Sequence, residues 1–322
     1  MDTVILKFGG SSVANDERLN LVAQKILEFY KENKRIVVVV SAQGKTTDNL
    51  IKEAYSLSHK PDKREMDVLL SIGEQITISK LAIFLIEKGY KAISLTGWQA
   101  GIHTNNLNQS AIIENIDINR INQELDNGNI VIVAGFQGIN EKNDITTLGR
   151  GGSDTTAVAI AAALNSKECY IYSDVDGIYS ADPNKVKNTK KIDEISYNEM
   201  LEISSEGAKV LHNRCIEIGE KYSIPIIAKS TFNNNQGTLI TNPKFLEGTV
   251  VKNIVKKEIS RISIIGHGFM PNNEVYKKIM NIIEKHNLDI LNIYITRTKI
   301  SIVFKNVIDD SILDDLHREI IE

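Results

Sequence analysis

From Val4 to Leu239 the chain alternates between short β-branched runs and segments with helical apolar spacing. Val4–Phe8 is an apolar run that stops at Gly9-Gly10. Asp16–Lys34 places Leu19, Val22, Ala23, Ile26, Leu27 and Tyr30 at i, i+3, i+4 intervals and predicts a helix. Ile36–Val40 is five consecutive β-branched residues, the pattern of a strand buried on both faces, and Ser41–Asp48 reads as a loop. Leu69–Glu87 predicts a long helix with Leu69, Ile72, Ile76, Ile83 and Ile86 on or near one face. Ala92–Leu95, Ile130–Ala134 and Cys169–Tyr172 predict further strands, and Gly152–Leu164 an Ala-rich helix. Strands interleaved with helices require crossovers, hence a mostly parallel sheet covered on both faces.

The pattern changes after Leu239. Asn242-Pro243 is a turn signal and Phe245–Gly248 reads as a linker. The expected division is a first domain over 1–241 and a small α+β domain over 249–322. The tail predicts strands at Thr249–Val255 and Ile259–Ile265, a helix at Asn273–His286, strands at Leu288–Tyr294 and Lys299–Phe304, and a helix at Asp309–Ile321. A unit this small buries little core alone and commonly pairs with a second copy.

Composition narrows the classes. Hydrophobic residues make up 42% and charged residues 25%, a globular balance that excludes a disordered or collagenous chain. A net charge of −3 argues against nucleic acid, whose phosphates demand a concentrated basic face. No run is read as a membrane span or as a secretory signal, so a cytoplasmic protein is expected. Two cysteines, Cys169 and Cys215, cannot build a disulfide scaffold or a four-ligand metal site.

The chemistry lies in the loops after the strands. Lys7-Phe8-Gly9-Gly10-Ser11-Ser12 joins a strand to a helix, where glycines let backbone amides approach an anion and Lys7 adds an ammonium. The lysine precedes the glycines, so this is neither a Walker A loop nor G-x-G-x-x-G. Ser41–Asp48, Gly135-Phe136-Gln137-Gly138 and Thr147–Thr156 follow or precede other elements in the same manner. The last of these offers a guanidinium, hydroxyls and a carboxylate, with Ser153 or Asp154 also fit to serve as an N-cap. Ser173–Pro183 forms a fifth loop. Its Asp-Val-Asp-Gly start lacks the closing Glu of a calcium loop. Five polar loops at the carboxyl ends of strands describe a site for a phosphorylated ligand. No Cys/His metal cluster and no G-x-S-x-G elbow accompanies them.

These segments, together with Gly73-Glu74 and Gly207-Ala208-Lys209-Val210-Leu211, occur in an order that closely resembles the aspartokinases of the amino-acid-kinase family. The resemblance implies a three-layer α/β fold with a mostly parallel central sheet, followed by an ACT-like α+β domain. It implies transfer of the ATP γ-phosphoryl group to the side-chain carboxylate of L-aspartate, at a site that needs positioning and charge neutralisation rather than a strong base. Lys7 is then expected at the transferring phosphoryl group with the Gly9 and Gly10 amides, and Asp154 orients Lys7. Glu74 pairs with the substrate ammonium and Arg150 holds a carboxylate, while Ser41, Thr47 and Ser153 supply hydrogen bonds. Phe8, Ser173, Asp174, Tyr179, Asp182, Asn184, Lys209 and Val210 complete the nucleotide set. Mg²⁺ is expected with ATP, held mainly by its phosphates. A homodimer or higher oligomer is expected through the ACT-like domain. A sibling kinase with another acceptor and a non-catalytic amino-acid sensor remain alternatives here.

Two departures from the family pattern stand out. The tail resembles one ACT module where aspartokinases of this type usually carry two, so weak or absent inhibition by lysine or threonine is expected. Asn184 follows Asp182-Pro183 where the family usually has Arg. Asn184→Arg should lower the KM for ATP in steady-state assays; an unchanged KM means that this position does not touch phosphate.

Overall fold

The computed structural model describes residues 2–183, 186, 188–205, 210–242, 260–265, 273–296, 299–309 and 311–320. The chain divides into two compact units, 1–255 and 256–322.

The first unit begins with β1 (Thr3–Phe8), α1 (Asp16–Lys31), β2 (Arg35–Val40), α2 (Thr46–Leu57), α3 (Lys63–Glu87) and β3 (Ala92–Leu95). It continues through β4 (Ile102–Thr104), β5 (Ile113–Ile116), α4 (Asn119–Asp126), β6 (Ile130–Ala134), β7 (Gln137–Ile139) and β8 (Ile145–Thr147). Then come α5 (Gly152–Ala163), β9 (Cys169–Ser173), β10 (Ile178–Tyr179), β11 (Lys191–Ile192), β12 (Glu194–Ile195), α6 (Tyr197–Ser205), α7 (Asn213–Tyr222), β13 (Ile226–Ser230) and β14 (Thr238–Ile240).

Eight strands form the central sheet in the order β12-β14-β13-β9-β1-β2-β6-β3. Every pairing in it is parallel except β13 with β14. Alternate residues of each strand enter opposite cores, as the two-residue period demands. Ile5, Val37, Val39, Val131 and Val133 face one layer, where α4, α5, α6 and α7 supply Ile121, Ala157, Ile160, Met200 and Ile216. Leu6, Phe8, Ile36, Val38 and Ile132 face the other, with Leu19, Val22 and Ile26 of α1 and Ile78, Leu81 and Leu85 of α3. The result is the expected three-layer α/β arrangement. A second sheet, β5-β4-β7-β8, and a two-stranded ribbon, β10-β11, lie outside the sequence-based reading. Their strands have at most four residues, too short for periodicity to register.

Helix α3 differs from expectation in three respects. It starts at Lys63, where the Asp62 carboxylate caps the Arg64 and Glu65 amides, and not at Leu69. The face bearing Ile72, Ile76, Ile83 and Ile86 is the exposed one. Met66, Leu70, Ile78, Leu81 and Leu85 are buried instead. Apolar residues surround this helix almost completely, so spacing alone could not select its inner face. By length and composition α3 also reaches the requirement for a membrane span, contrary to the sequence reading; half of its apolar window is buried inside the unit.

The second unit contains β15 (Ser260–Ile265), α8 (Asn273–Lys285), β16 (Ile290–Ile295), β17 (Lys299–Phe304) and α9 (Ser311–Ile320). The strands form an antiparallel sheet in the order β15-β17-β16. Ile279, Ile282 and Ile283 of α8 and Ile312 and Leu316 of α9 share a core with Ile300, Ile302 and Phe304 of β17. This is an ACT-like α+β arrangement. The strand expected at Thr249–Val255 lies outside the described residues.

The reversed face of α3 can be measured. Leu81→Ala, at a fully buried position, should cost about 2–5 kcal/mol in urea unfolding. Ile83→Ala, at a position 68% exposed, should stay within about 0.5 kcal/mol.

Candidate active site

The parallel strands β1, β2, β6 and β9 end on the same side, and the loops that leave three of them converge with the N-terminal turn of α5 around a cavity of about 770 Å³. Lys7, Ser41, Thr47, Glu74, Arg150, Ser153 and Asp154 all line it. The structure therefore brings together every residue expected for catalysis and for the acceptor.

Lys7 is the penultimate residue of β1 and is only 8% exposed. Its Nζ pairs with Asp154 Oδ1 at 2.5 Å, and both side chains are largely buried. Asp154 sits in the first turn of α5, where the helix N-terminus favours a negative charge. The N-cap is Gly151, at φ +69°, and neither Ser153 nor Asp154. That leaves both polar side chains free of capping duty and directed at the cavity. Gly151 tolerates the left-handed conformation at little cost, which explains why glycine precedes the helix.

Gly10 lines the cavity, and its carbonyl accepts the Gly44 amide at 3.0 Å, tying the first two loops together. A Cβ at Gly10 would lie 2.7 Å from the Ala42 carbonyl oxygen, so no larger residue fits. Gly9 differs from expectation: its amide donates to the Tyr172 carbonyl at 3.2 Å and is not free for a ligand. The Phe8 side chain is likewise withdrawn. It is fully buried and stacks on Tyr172 at 4.8 Å.

Glu74 is the unusual group. It lies on α3 at 3% exposure, with Oε1 accepting the Ala42 amide at 2.9 Å. Oε2 is buried and has no hydrogen-bond partner among the described residues. Burial raises its pKa from the usual 4.5 to about 7, a rise that the Ala42 hydrogen bond partly opposes. A buried carboxyl with one unsatisfied oxygen facing a cavity is suited to a cationic ligand group. Arg150 supplies the opposite charge on the same cavity.

The nucleotide residues are placed less uniformly. Ser173 ends β9, and its hydroxyl accepts the Val175 amide at 3.1 Å. Tyr179 donates its hydroxyl to Asp176 at 2.7 Å, and Asp176 also accepts from Asn235 at 2.6 Å. Asp174 and Asp182 are exposed. Val210 is half-buried and packs against the core. Asn184 and Lys209 lie outside the described residues. Among those residues no group of three or more His, Cys, Asp or Glu is arranged to hold a metal.

Several cavity residues were not among the expected site residues, although Phe136 and Thr147 stand in two of the expected loops. Ile51, Tyr55, Met66, Leu70 and Phe136 form an apolar wall, and Gln109 and Thr147 add polar atoms beside Arg150. Behind these two lies Asp67, fully buried and bonded to both. An acidic residue inside an apolar helix, seven residues before Glu74, was the available signal.

The amino acid kinase family profile matches residues 2–230. An aspartokinase of Geobacillus stearothermophilus is 50% identical over 268 residues, which span 83% of this chain and 66% of that one. Aspartokinase 2 of Bacillus subtilis is 47% identical over the same shares of each chain. An aspartate kinase of Stutzerimonas stutzeri is 43% identical over 90% of this chain and 71% of its own. This chain thus spans just under two thirds of the first of these relatives. Among solved structures, aspartokinase III of E. coli in complex with lysine and aspartate shares the fold at a TM-score of 0.83 and 24% identity, covering 98% of this chain and 83% of that one. The aspartate kinase of Synechocystis matches at a TM-score of 0.68 and 37% identity, over 94% of this chain and 52% of that one. Matched along most of its length by the family profile and by these relatives, the chain belongs to the amino acid kinase family, within its aspartokinase branch.

Proposed function

We propose that this chain transfers the γ-phosphoryl group of ATP to the side-chain carboxylate of L-aspartate, giving 4-phospho-L-aspartate and ADP. The observation that carries the reading is the meeting of Lys7, Glu74, Arg150 and Asp154 in one cavity. An amino-acid acceptor needs an anionic partner for its ammonium and a cationic one for its carboxylate, and Glu74 and Arg150 supply both. The acceptor carboxylate is already ionised at neutral pH, so no residue has to remove a proton. Lys7 neutralises charge that develops on the phosphoryl oxygens, and Asp154 holds its ammonium in place. The Gly10 loop gives the phosphates close access to backbone.

Asp154 is the carboxylate at the phosphoryl end, and it is already paired with Lys7. That donor set suits Mg²⁺ carried in on the nucleotide, with phosphates and water as its main ligands, where it would offset phosphate charge. The second unit, too small to bury a large core, is read as a pairing surface between two copies.

Hydroxamate formation from aspartate, ATP and hydroxylamine tests the reaction directly. Robust product is expected, with Lys7→Ala lowering the rate by roughly 10²–10³-fold. Product with glutamate or with a nucleoside monophosphate in place of aspartate would transfer the assignment to a sibling kinase. No product with any acceptor would favour a sensor.

Glu74 gives a pH signature. Only its ionised form pairs with an ammonium, so the KM for aspartate should fall as pH rises through about 7, and Glu74→Gln should flatten that dependence. The same group affects stability with a definite sign. Its folded pKa is raised, so the unfolded chain releases the proton first and stability is lost between pH 4.5 and about 7. Without ligand, Glu74→Gln should therefore gain stability over the wild type across that interval, by up to ~3 kcal/mol at its upper end and nothing at its lower end.

A further inference from the structure

Asp67 occupies α3 two turns before Glu74. At 3.6 residues per turn, a separation of seven places both carboxylates on one helix face, with a rise of about 10 Å between them. Glu74 faces the cavity. Asp67 is 0% exposed and faces its supporting wall. Thr147 Oγ1 donates to Asp67 Oδ1 at 2.5 Å, the Gln109 amide donates to both carboxylate oxygens at 3.1 Å, and Asn108 Nδ2 donates to Oδ2 at 2.8 Å. Thr147 and Gln109 both line the cavity.

The same two segments carry the loop of Arg150. The Ala111 amide donates to the Thr147 carbonyl at 2.9 Å, joining them. Gln109 adopts φ +66°, and its carbonyl oxygen sits 2.8 Å from where a Cβ on Gly149 would be. Gly149 is itself at φ +76° and immediately precedes Arg150. From the other side, Arg214 donates to the Leu148 carbonyl at 2.5 Å and to the Ala111 carbonyl at 2.9 Å.

We infer that Asp67 is a positioning residue for acceptor specificity: through Gln109 and Thr147 it fixes the Arg150 loop relative to Glu74 on the same rigid helix. The inference rests on the acceptor roles proposed above for Glu74 and Arg150. In those roles the two hold the α-ammonium and α-carboxylate, which share one carbon, so the distance from that pair to Lys7 at the phosphoryl end selects the chain length of the substrate. A helix is a stiff ruler, and Asp67 attaches the carboxylate-binding loop to it by three donors. Loosening that attachment lets the loop retreat by enough to accept one more methylene, while the phosphoryl end, built by Lys7, Asp154 and the Gly10 loop, is unaffected.

The test is steady-state kinetics of Asp67→Asn with aspartate, glutamate and ATP varied in turn, alongside thermal unfolding. The Asn side chain keeps the shape but cannot accept from all three donors. The expected result is a KM for aspartate raised about 10-fold, a KM for ATP within about twofold, and an aspartate-to-glutamate preference in kcat/KM reduced about 10-fold. A role in stability alone would lower the unfolding temperature and leave that preference intact, and this result overturns the inference. So does a parallel rise of both KM values. If Asp67→Asn does not fold, Asn108→Ala carries the test, because it removes one donor and changes no cavity residue. The preference should then fall about threefold, and no change overturns the inference. A wild-type chain inactive on aspartate overturns the acceptor reading and this inference together. An active wild type with unaltered variants overturns this inference alone.

Discussion

Glu74 Oε1 accepts the Ala42 amide across a contact so close that a Cβ on Gly73 would lie 2.7 Å from the Ala42 methyl carbon. The rest of the site depends on this contact. It brings the loop after β2 down onto α3, which places Ser41 and Thr47 over the cavity and sets Glu74 at its floor. The energetic penalty is visible in the raised pKa of Glu74, whose second oxygen is left without a partner. Burying a carboxyl in this manner is unfavourable for an isolated fold. It is understandable where a ligand cation completes the arrangement, because the site is already shaped to receive it.

Electrostatic order extends across the cavity from that point. Lys7 and Asp154 neutralise each other at one end, so Lys7 is held in place without carrying an unpaired charge into the interior. Arg150 belongs to a loop whose base is secured by Arg214 and Asp67 from opposite sides. The strands provide position, and the hydrogen bonds behind the loops provide orientation. Glycine at 10, 73 and 151 is set by backbone approach or backbone conformation, and in each case a side chain would displace a neighbouring loop.

Much of this was legible in the sequence, and for identifiable reasons. The runs at β1, β2 and β6 are dense in Val and Ile because both faces are buried, and such runs cannot be confused with amphipathic helices. Ser41, Arg150 and Ser153 stand in or beside glycine-bearing loops that the sequence marks, whereas Glu74 lies within α3 and was expected only from the resemblance. Helix α3 was harder to read. With apolar residues all round, its spacing gave no preference between the Ile76 face and the Leu81 face; contacts with α1 and the sheet decided between them. Phe8 and Gly9 show a different limit. They belong to the motif by sequence, yet Phe8 is a core side chain and Gly9 spends its amide on Tyr172. Asp67 was hidden because its donors come from segments remote in sequence, so only the folded chain shows what it holds.

The order of strands in the central sheet has a further consequence. β1 pairs with β9, so that Ile5 lies beside Cys169 and Lys7 beside Ile171, and Asp154 arrives on the helix just before that strand. During synthesis the first strand must therefore wait for most of the unit to emerge before its second edge is covered. Closing so long a loop is entropically slow, and parallel pairing over such separations is among the later events in folding. The pairing of Lys7 with Asp154 is thus a late product of folding. A partly folded chain has the Gly9-Gly10 loop without the carboxylate that pairs with its lysine, and the cavity is complete only once α5 and β9 are in place.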